Sequence, residues 1–233
     1  EEVQEAVSET QYKKYDDFDE LCEVTANLLA QNKIIGWFQN RSEFGPRALG
    51  SRSILMNPQP RKNKDIVNSR IKHREEWRPF AGIMLEEYQE DYFMDTYPNE
   101  YMLYSLVVRP HQRRKLGAIT HKDFSCRIQT VNDDLHPEVT TLLQKYNELT
   151  GIPILLNTSL PFTSAISLKC LSRTLGHIPS VSGSISTKCG VAPRCEIELA
   201  VATKVSGGII TSSLALTPAR YKDNLKATVP FET

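Results

Sequence analysis

The residues of this chain best suited to chemistry are cations set beside backbone punctuation. The stretch GWFQNRSEFGPRALGSRSIL over 36–55 holds the densest such mixture. In its middle, FGPRALG, Pro46 fixes its own φ, and Gly45 and Gly50 permit backbone geometries that other residues resist. Arg47 stands between them, where a rigid turn would aim its guanidinium at an anion. Alone, a Gly-Pro-Arg triplet is more often a surface turn with a solvated arginine. Its companions shift that balance. Lys72 follows an apolar helical pattern, Arg78 precedes a proline, Arg127 falls in the run SCRIQTV, and Asn157, Thr158 and Ser159 close IPILLNTSL. Arginine forks pair two-pronged with phosphate or carboxylate oxygens, and lysine brings a compact charge. A mixed set therefore suits a triphosphate and the charge that develops when it is attacked. The sequence has neither a Walker A loop nor a GxGxxG fingerprint.

These groups need elements to carry them. Leu21, Val24, Leu28 and Leu29 recur at helical spacing over 18–31, with acidic residues in the first turn. Short apolar runs at 34–38 and 53–56 read as strands on either side of FGPRALG. The pattern KDIVNSRIKHREEW predicts a helix over 64–77, with Val67 and Ile71 toward the core and Lys72 on an adjacent face. Arg78-Pro79-Phe80 ends it, and AGIML follows as a strand. The acidic, aromatic stretch 86–104 reads as packing rather than a stacking platform for bases. SLVVR over 105–109 is a predicted strand, and the basic loop 110–117 is expected to be solvated and flexible. SCRIQTV presents Arg127 from a strand. PEVTTLLQKYNELT is a helix over 137–150, with Leu142, Leu143, Tyr146 and Leu149 on one side and Gly151 just past its end. A strand then delivers Asn157 to Ser159 at its carboxyl end, where ligands of α/β sheets tend to sit. Beyond Leu160 the chain turns rich in serine and threonine, with strand-like patches such as IELAVATKV.

The chain has 233 residues, 28 basic against 28 acidic, so no global positive field points to nucleic acid. No run approaches the roughly 18 apolar residues that cross a bilayer. The acidic opening EEVQEAVSE is unlike a signal peptide, and a soluble, cytoplasmic protein is the expectation. The missing initiator methionine points to a piece of a longer chain. Five cysteines at no zinc-like spacing read as buried or free thiols. Five dispersed histidines, with no HxxxH pair, leave no metal to assign.

The segments WFQNRSEFGPRALGSRSIL, VNSRIKHREEWRPFAGIML, YF, SCRIQTV and TGIPILLNTSL stand in an order that resembles the carboxyl-terminal domain of the NodU/CmcH/TobZ-type O-carbamoyltransferases. The likeness spans about residues 15–160. It implies an α/β (α+β) fold: a YrdC-like twisted mixed sheet flanked by helices over 1–160, then a divergent, irregular segment over 161–233. The activity it implies is ATP-dependent formation of carbamoyl adenylate from carbamate, the activating half of an O-carbamoyltransferase of secondary-metabolite or glycan biosynthesis. ATP and, by analogy, Mg²⁺ are the implied cofactors. Family positions matching Arg47, Lys72, Arg78, Arg127 and Ser159 hold the nucleotide and carbamoyl group, with Lys72, Arg78 and Ser159 as the catalytic set. Asn157, Glu43 and Asn68 are motif-adjacent candidates. In complete enzymes of this family a preceding metal-binding domain hydrolyses carbamoyl phosphate and finally transfers the carbamoyl group. This chain is expected to work with such a domain in cis or in trans. After LNTSL the family continues with an Asn and a G-E-P-I-like element, whereas this chain has PFTSAISLKCLSRTLGH, which suggests a frameshift, a gene-model error or a divergent fusion. Competing readings are a nucleotide- or RNA-binding module without turnover, helped by the cations at 113–115, and an inactive, truncated domain.

Overall fold

The computed structural model describes residues 12–39, 43–160, 195–205 and 208–216, with the backbone alone for 12–14 and the last two segments. After β1 (Tyr12–Tyr15), Asp17 caps α1 (Phe18–Ala30): its carboxylate accepts from the Asp19 amide at 3.1 Å, and Asp19 and Glu20 meet the positive end of the helix dipole. Then come β2 (Ile35–Gln39), β3 (Arg52–Met56), α2 (Lys62–Val67), β4 (Ala81–Leu85), α3 (Gln89–Tyr92), β5 (Ser105–Val107) and β6 (Ser125–Val131). The remaining elements are α4 (Pro137–Thr150), β7 (Ile154–Ser159), β8 (Cys195–Val205) and β9 (Gly208–Leu216).

The strands form one nine-stranded sheet in the order β1-β9-β8-β2-β3-β7-β4-β6-β5. Pairs β2/β8 and β4/β6 are parallel and the other neighbours antiparallel, so the expected mixed sheet flanked by helices is present. β7 lies near the centre, and its continuous apolar run Ile154, Leu155 and Leu156 is completely buried, as a strand covered on both faces requires. α1 and α4 pack against each other and against the sheet. α1 buries Leu21, Cys22, Thr25, Ala26 and Leu29, while Val24 and Leu28 are only partly covered. Packing against α4 thus turns the buried stripe away from the predicted one. α4 buries Val139, Leu142, Leu143 and Tyr146, but Leu149 in its last turn is exposed. Gly151, at φ 68°, ends the helix by donating its amide to the Asn147 carbonyl at 2.7 Å.

Several expectations change. The helix over 64–77 stops early: α2 runs into a π-helical turn, Asn68–Lys72, and His73 takes a left-handed conformation at φ 47°. The strand at 105–109 shortens to β5. The basic loop is docked rather than freely solvated, since Leu116 is fully buried, Arg113 stacks 3.7 Å from the Phe124 ring centre and Lys115 lies 5.7 Å from that of Tyr92. Within the segment expected to be irregular, β8 runs parallel to β2 from Ile35↔Glu198 to Gln39↔Ala202, and β9 joins β8 to β1. PFTSAISLKCLSRTLGH lies outside the described residues. Among the described residues no helix is long and apolar enough to cross a membrane.

Candidate functional site

FGPRALG links β2 to β3 and is fastened from two sides. Glu43 Oε1 accepts from the amides of Leu49, Ser51 and Arg52 at 2.8, 2.9 and 3.0 Å. Opposite, Gln129 Nε2 donates to the Leu49 carbonyl at 2.8 Å and Asn157 Nδ2 to that of Ala48 at 3.1 Å. Gly50 adopts φ 100°, a conformation that demands glycine, and a Cβ there would crowd Val139 Cγ1 at 3.3 Å. The result is a pinned loop carrying Arg47.

The π-turn builds the second wall. Asn68, fully buried, donates from Nδ2 to the carbonyls of Arg78 at 3.0 Å and Glu76 at 3.3 Å, and its Oδ1 accepts from Arg74 Nε at 2.7 Å. The Arg74 amide also reaches back to the Asn68 carbonyl at 3.1 Å. These bonds offer the backbone an alternative to further α-helix, which is why the helical pattern ends at Lys72. From that turn Lys72 Nζ donates to the Ser159 carbonyl and, at 3.1 Å, to Ser159 Oγ, tying the turn to the end of β7. Burial first, then the charges of Arg74 and Arg52, pull the Lys72 pKa down to about 8.

Between these walls lies a cleft of about 200 Å³ that gathers Arg47, Arg74 and Arg127 around Asn157, Thr158 and Ser159, with Phe80 and Met102 as apolar lining. No carboxylate is among the described residues that line it. Arg127, on β6, has a buried Nε with no hydrogen-bond partner. Its pKa is depressed by burial and then by the Arg47 charge. A guanidinium stays protonated at any working pH, so these two arginines repel each other.

Of the predicted residues, Arg47, Arg127, Asn157 and Ser159 line the cleft, and Lys72 meets it through Ser159. Arg78 does not line it: the side chain is exposed, its Nε pairs with Glu75 at 3.1 Å and its guanidinium lies 5.9 Å from the Trp77 ring centre. Glu43 and Asn68 act by fastening the two walls. Sequence reasoning missed Arg74, whose guanidinium lies 4.6 Å over the Phe80 ring and lines the cleft. A regular helix would place it on the stripe of Val67 and Ile71; the π-turn and left-handed His73 re-aim it. No group of three or more metal-ligating side chains stands together among the described residues.

This is a mixed-sheet α/β domain with an arginine-lined cleft at the carboxyl end of a central strand, where ligands of such sheets tend to sit. The chain belongs to the family described as Carbamoyltransferase C-terminus, whose model matches residues 26–169. It is 42% identical over 146 residues to nodulation protein NolNO of Sinorhizobium fredii, covering 60% of this chain and 21% of that protein. Against nodulation protein U of Rhizobium tropici the identity is 44% over 134 residues, covering 58% and 23%. The chain thus spans between a fifth and a quarter of the length of these relatives. In fold it is similar to full-length HypF in the phosphate- and nucleotide-bound form, with TM-score 0.40, 14% identity, and coverage of 64% of this chain and 18% of that one.

Proposed function

We propose that this chain binds ATP and carbamate and forms carbamoyl adenylate, as the activating portion of an O-carbamoyltransferase. The observation that carries the reading is the gathering of Arg47, Arg74 and Arg127 in one cleft with no carboxylate among its described lining. Such a site is costly without an anion and favourable with one. Membership of a carbamoyltransferase family supplies the reaction class.

In the step proposed, a carbamate oxygen attacks the α-phosphorus of ATP. The new O–P bond forms as the bond from the α-phosphorus to the bridging oxygen breaks, and pyrophosphate leaves with that electron pair. Positioning and neutralisation of negative charge provide most of the catalysis in such transfers. Arg47, Arg74 and Arg127 would hold phosphate oxygens, and Lys72, fixed by Ser159, would add a compact positive charge. The described cleft offers Mg²⁺ no carboxylate, so its residues do not fit a resident ion. An acceptor hydroxyl and a further domain that transfers the carbamoyl group to it are part of the proposal.

Titration calorimetry with ATP and AMP tests the reading directly. Arg127→Ala should weaken binding about 10- to 100-fold, the loss expected for charge-assisted hydrogen bonds. A wild-type chain that binds neither nucleotide would sink the proposal.

A further inference from the structure

The arginine cleft is too small for a whole nucleotide. Its volume is about 200 Å³, whereas pockets that enclose a small organic molecule start at about 300 Å³. Phosphates fit, and the rest of such a ligand must lie outside. Strand register shows where the cleft floor continues. Asn157 on β7 pairs with Ala81 on β4, and the parallel register Gly82↔Ile128 sets Ala81 beside Arg127 on β6. All three line the cleft. Arg127 pairs in turn with Ser105 on β5, the last strand of the sheet. Residues in register project from the same face, so this row runs from the centre of the cleft to the sheet's edge.

In the other direction the floor is closed. Asn157 pairs with Leu55 and Ser159 with Ser53 on β3, and both β3 residues are fully buried. On β5, by contrast, Ser105 and Val107 are exposed, and Val107, paired with Ser125, shares the face of Ser105. The two halves of the floor also differ in charge. The cleft holds three arginines, while residues 101–108, YMLYSLVV, carry no charge at neutral pH. We infer that Ser105 and Val107 form a nucleoside shelf: the phosphates of the ligand sit among the arginines, and its ribose and base lie across β5. Ser105 stands one strand spacing, about 5 Å, from Arg127, so a ribose joined to a phosphate held by Arg127 reaches it directly. The serine hydroxyl suits the hydroxyls of a ribose, and Val107 gives the base an apolar surface to cover.

This inference rests on the nucleotide reading above, and inorganic tripolyphosphate separates their failures. Tripolyphosphate carries at least as much negative charge as ATP, so a preference for ATP must come from the nucleoside. Calorimetry on the full chain should show ATP binding about tenfold tighter than tripolyphosphate, the worth of a hydrogen bond and a small apolar contact. Ser105→Phe keeps a strand-favouring residue on β5 but fills the shelf, and should lower the ATP affinity to that of tripolyphosphate. A second measurement needs no variant: 8-azido-ATP, photolysed on the wild-type chain, should attach within residues 101–108. Equal binding of ATP and tripolyphosphate overturns the inference and leaves an anion site standing. An ATP preference that survives in Ser105→Phe, or a photolabel found only on the 43–50 loop or the 68–78 wall, also overturns it. Failure to bind ATP, AMP and tripolyphosphate removes the nucleotide reading itself.

Discussion

Lys72 titrates near pH 8 because burial strips water from its ammonium group and Arg74 and Arg52 add like charge. A free lysine titrates at about 10.4, so between pH 8 and that value the unfolded chain binds more protons than the folded one. The penalty Lys72 imposes on the fold is therefore fully present below pH 8 and is relieved as pH rises through this window. A bound anion acts the other way by favouring the charged form. Nucleotide binding at pH 8 should take up part of a proton and should weaken as pH climbs past 8. Calorimetry in buffers of different ionisation enthalpy measures the uptake, and a flat affinity from pH 7 to 9 would contradict the assignment. The places of Arg47, Arg127 and Ser159 beside the cleft are legible in the sequence because a turn presents the first, a strand the second and a strand end the third. Arg74 is not, since its direction depends on a helical irregularity stabilised by the distant carbonyls that Asn68 captures. Arg78 looked equivalent to the other cations, and only the local pairing with Glu75 distinguishes it.

The FGPRALG loop gains its shape from side chains that lie outside its motif. Three amides converge on one oxygen of Glu43, so that carboxylate is a hub rather than a ligand. Glu43→Ala should destabilise the fold by about 1–3 kcal/mol, the cost of leaving buried donors unpaired. Amide exchange at Leu49, Ser51 and Arg52 should accelerate more than exchange in β7, and equal acceleration everywhere would argue against a local role. Helices α1 and α4 were predictable almost to the residue, because capping and proline signals are local. Which of their apolar side chains reach the core was less so: Leu149 is exposed and Thr25 buried, a choice made by the packing of one helix on the other.

For the whole molecule, the described strands of the divergent segment, β8 and β9, are part of the sheet, while the predicted site residues are not part of that segment. β8 covers the parallel edge of β2, a strand whose five residues are all buried. IELAVATKV is strand-like in the sequence, but its pairing with β2 is not legible there, since strand pairing is decided by partners far away in the chain. Residues 43–159 contain every predicted site position. A chain ending at Leu160 should then keep nucleotide affinity within a few-fold, yet self-associate through the uncovered edge of β2. Sedimentation and calorimetry on the two chains check both halves, and a truncated chain that stays monomeric would deny the covering role of β8.

The π-turn at Asn68–Lys72 also makes the site depend on length and not only on identity. Each residue of a helix advances about 100° around the axis. Losing one exposed position such as Ser69 would let the turn close as ordinary α-helix and swing Lys72 away from Ser159, with every cation still in the sequence. Among relatives, a one-residue gap here would mark a lineage that has kept the letters of the site and lost its geometry.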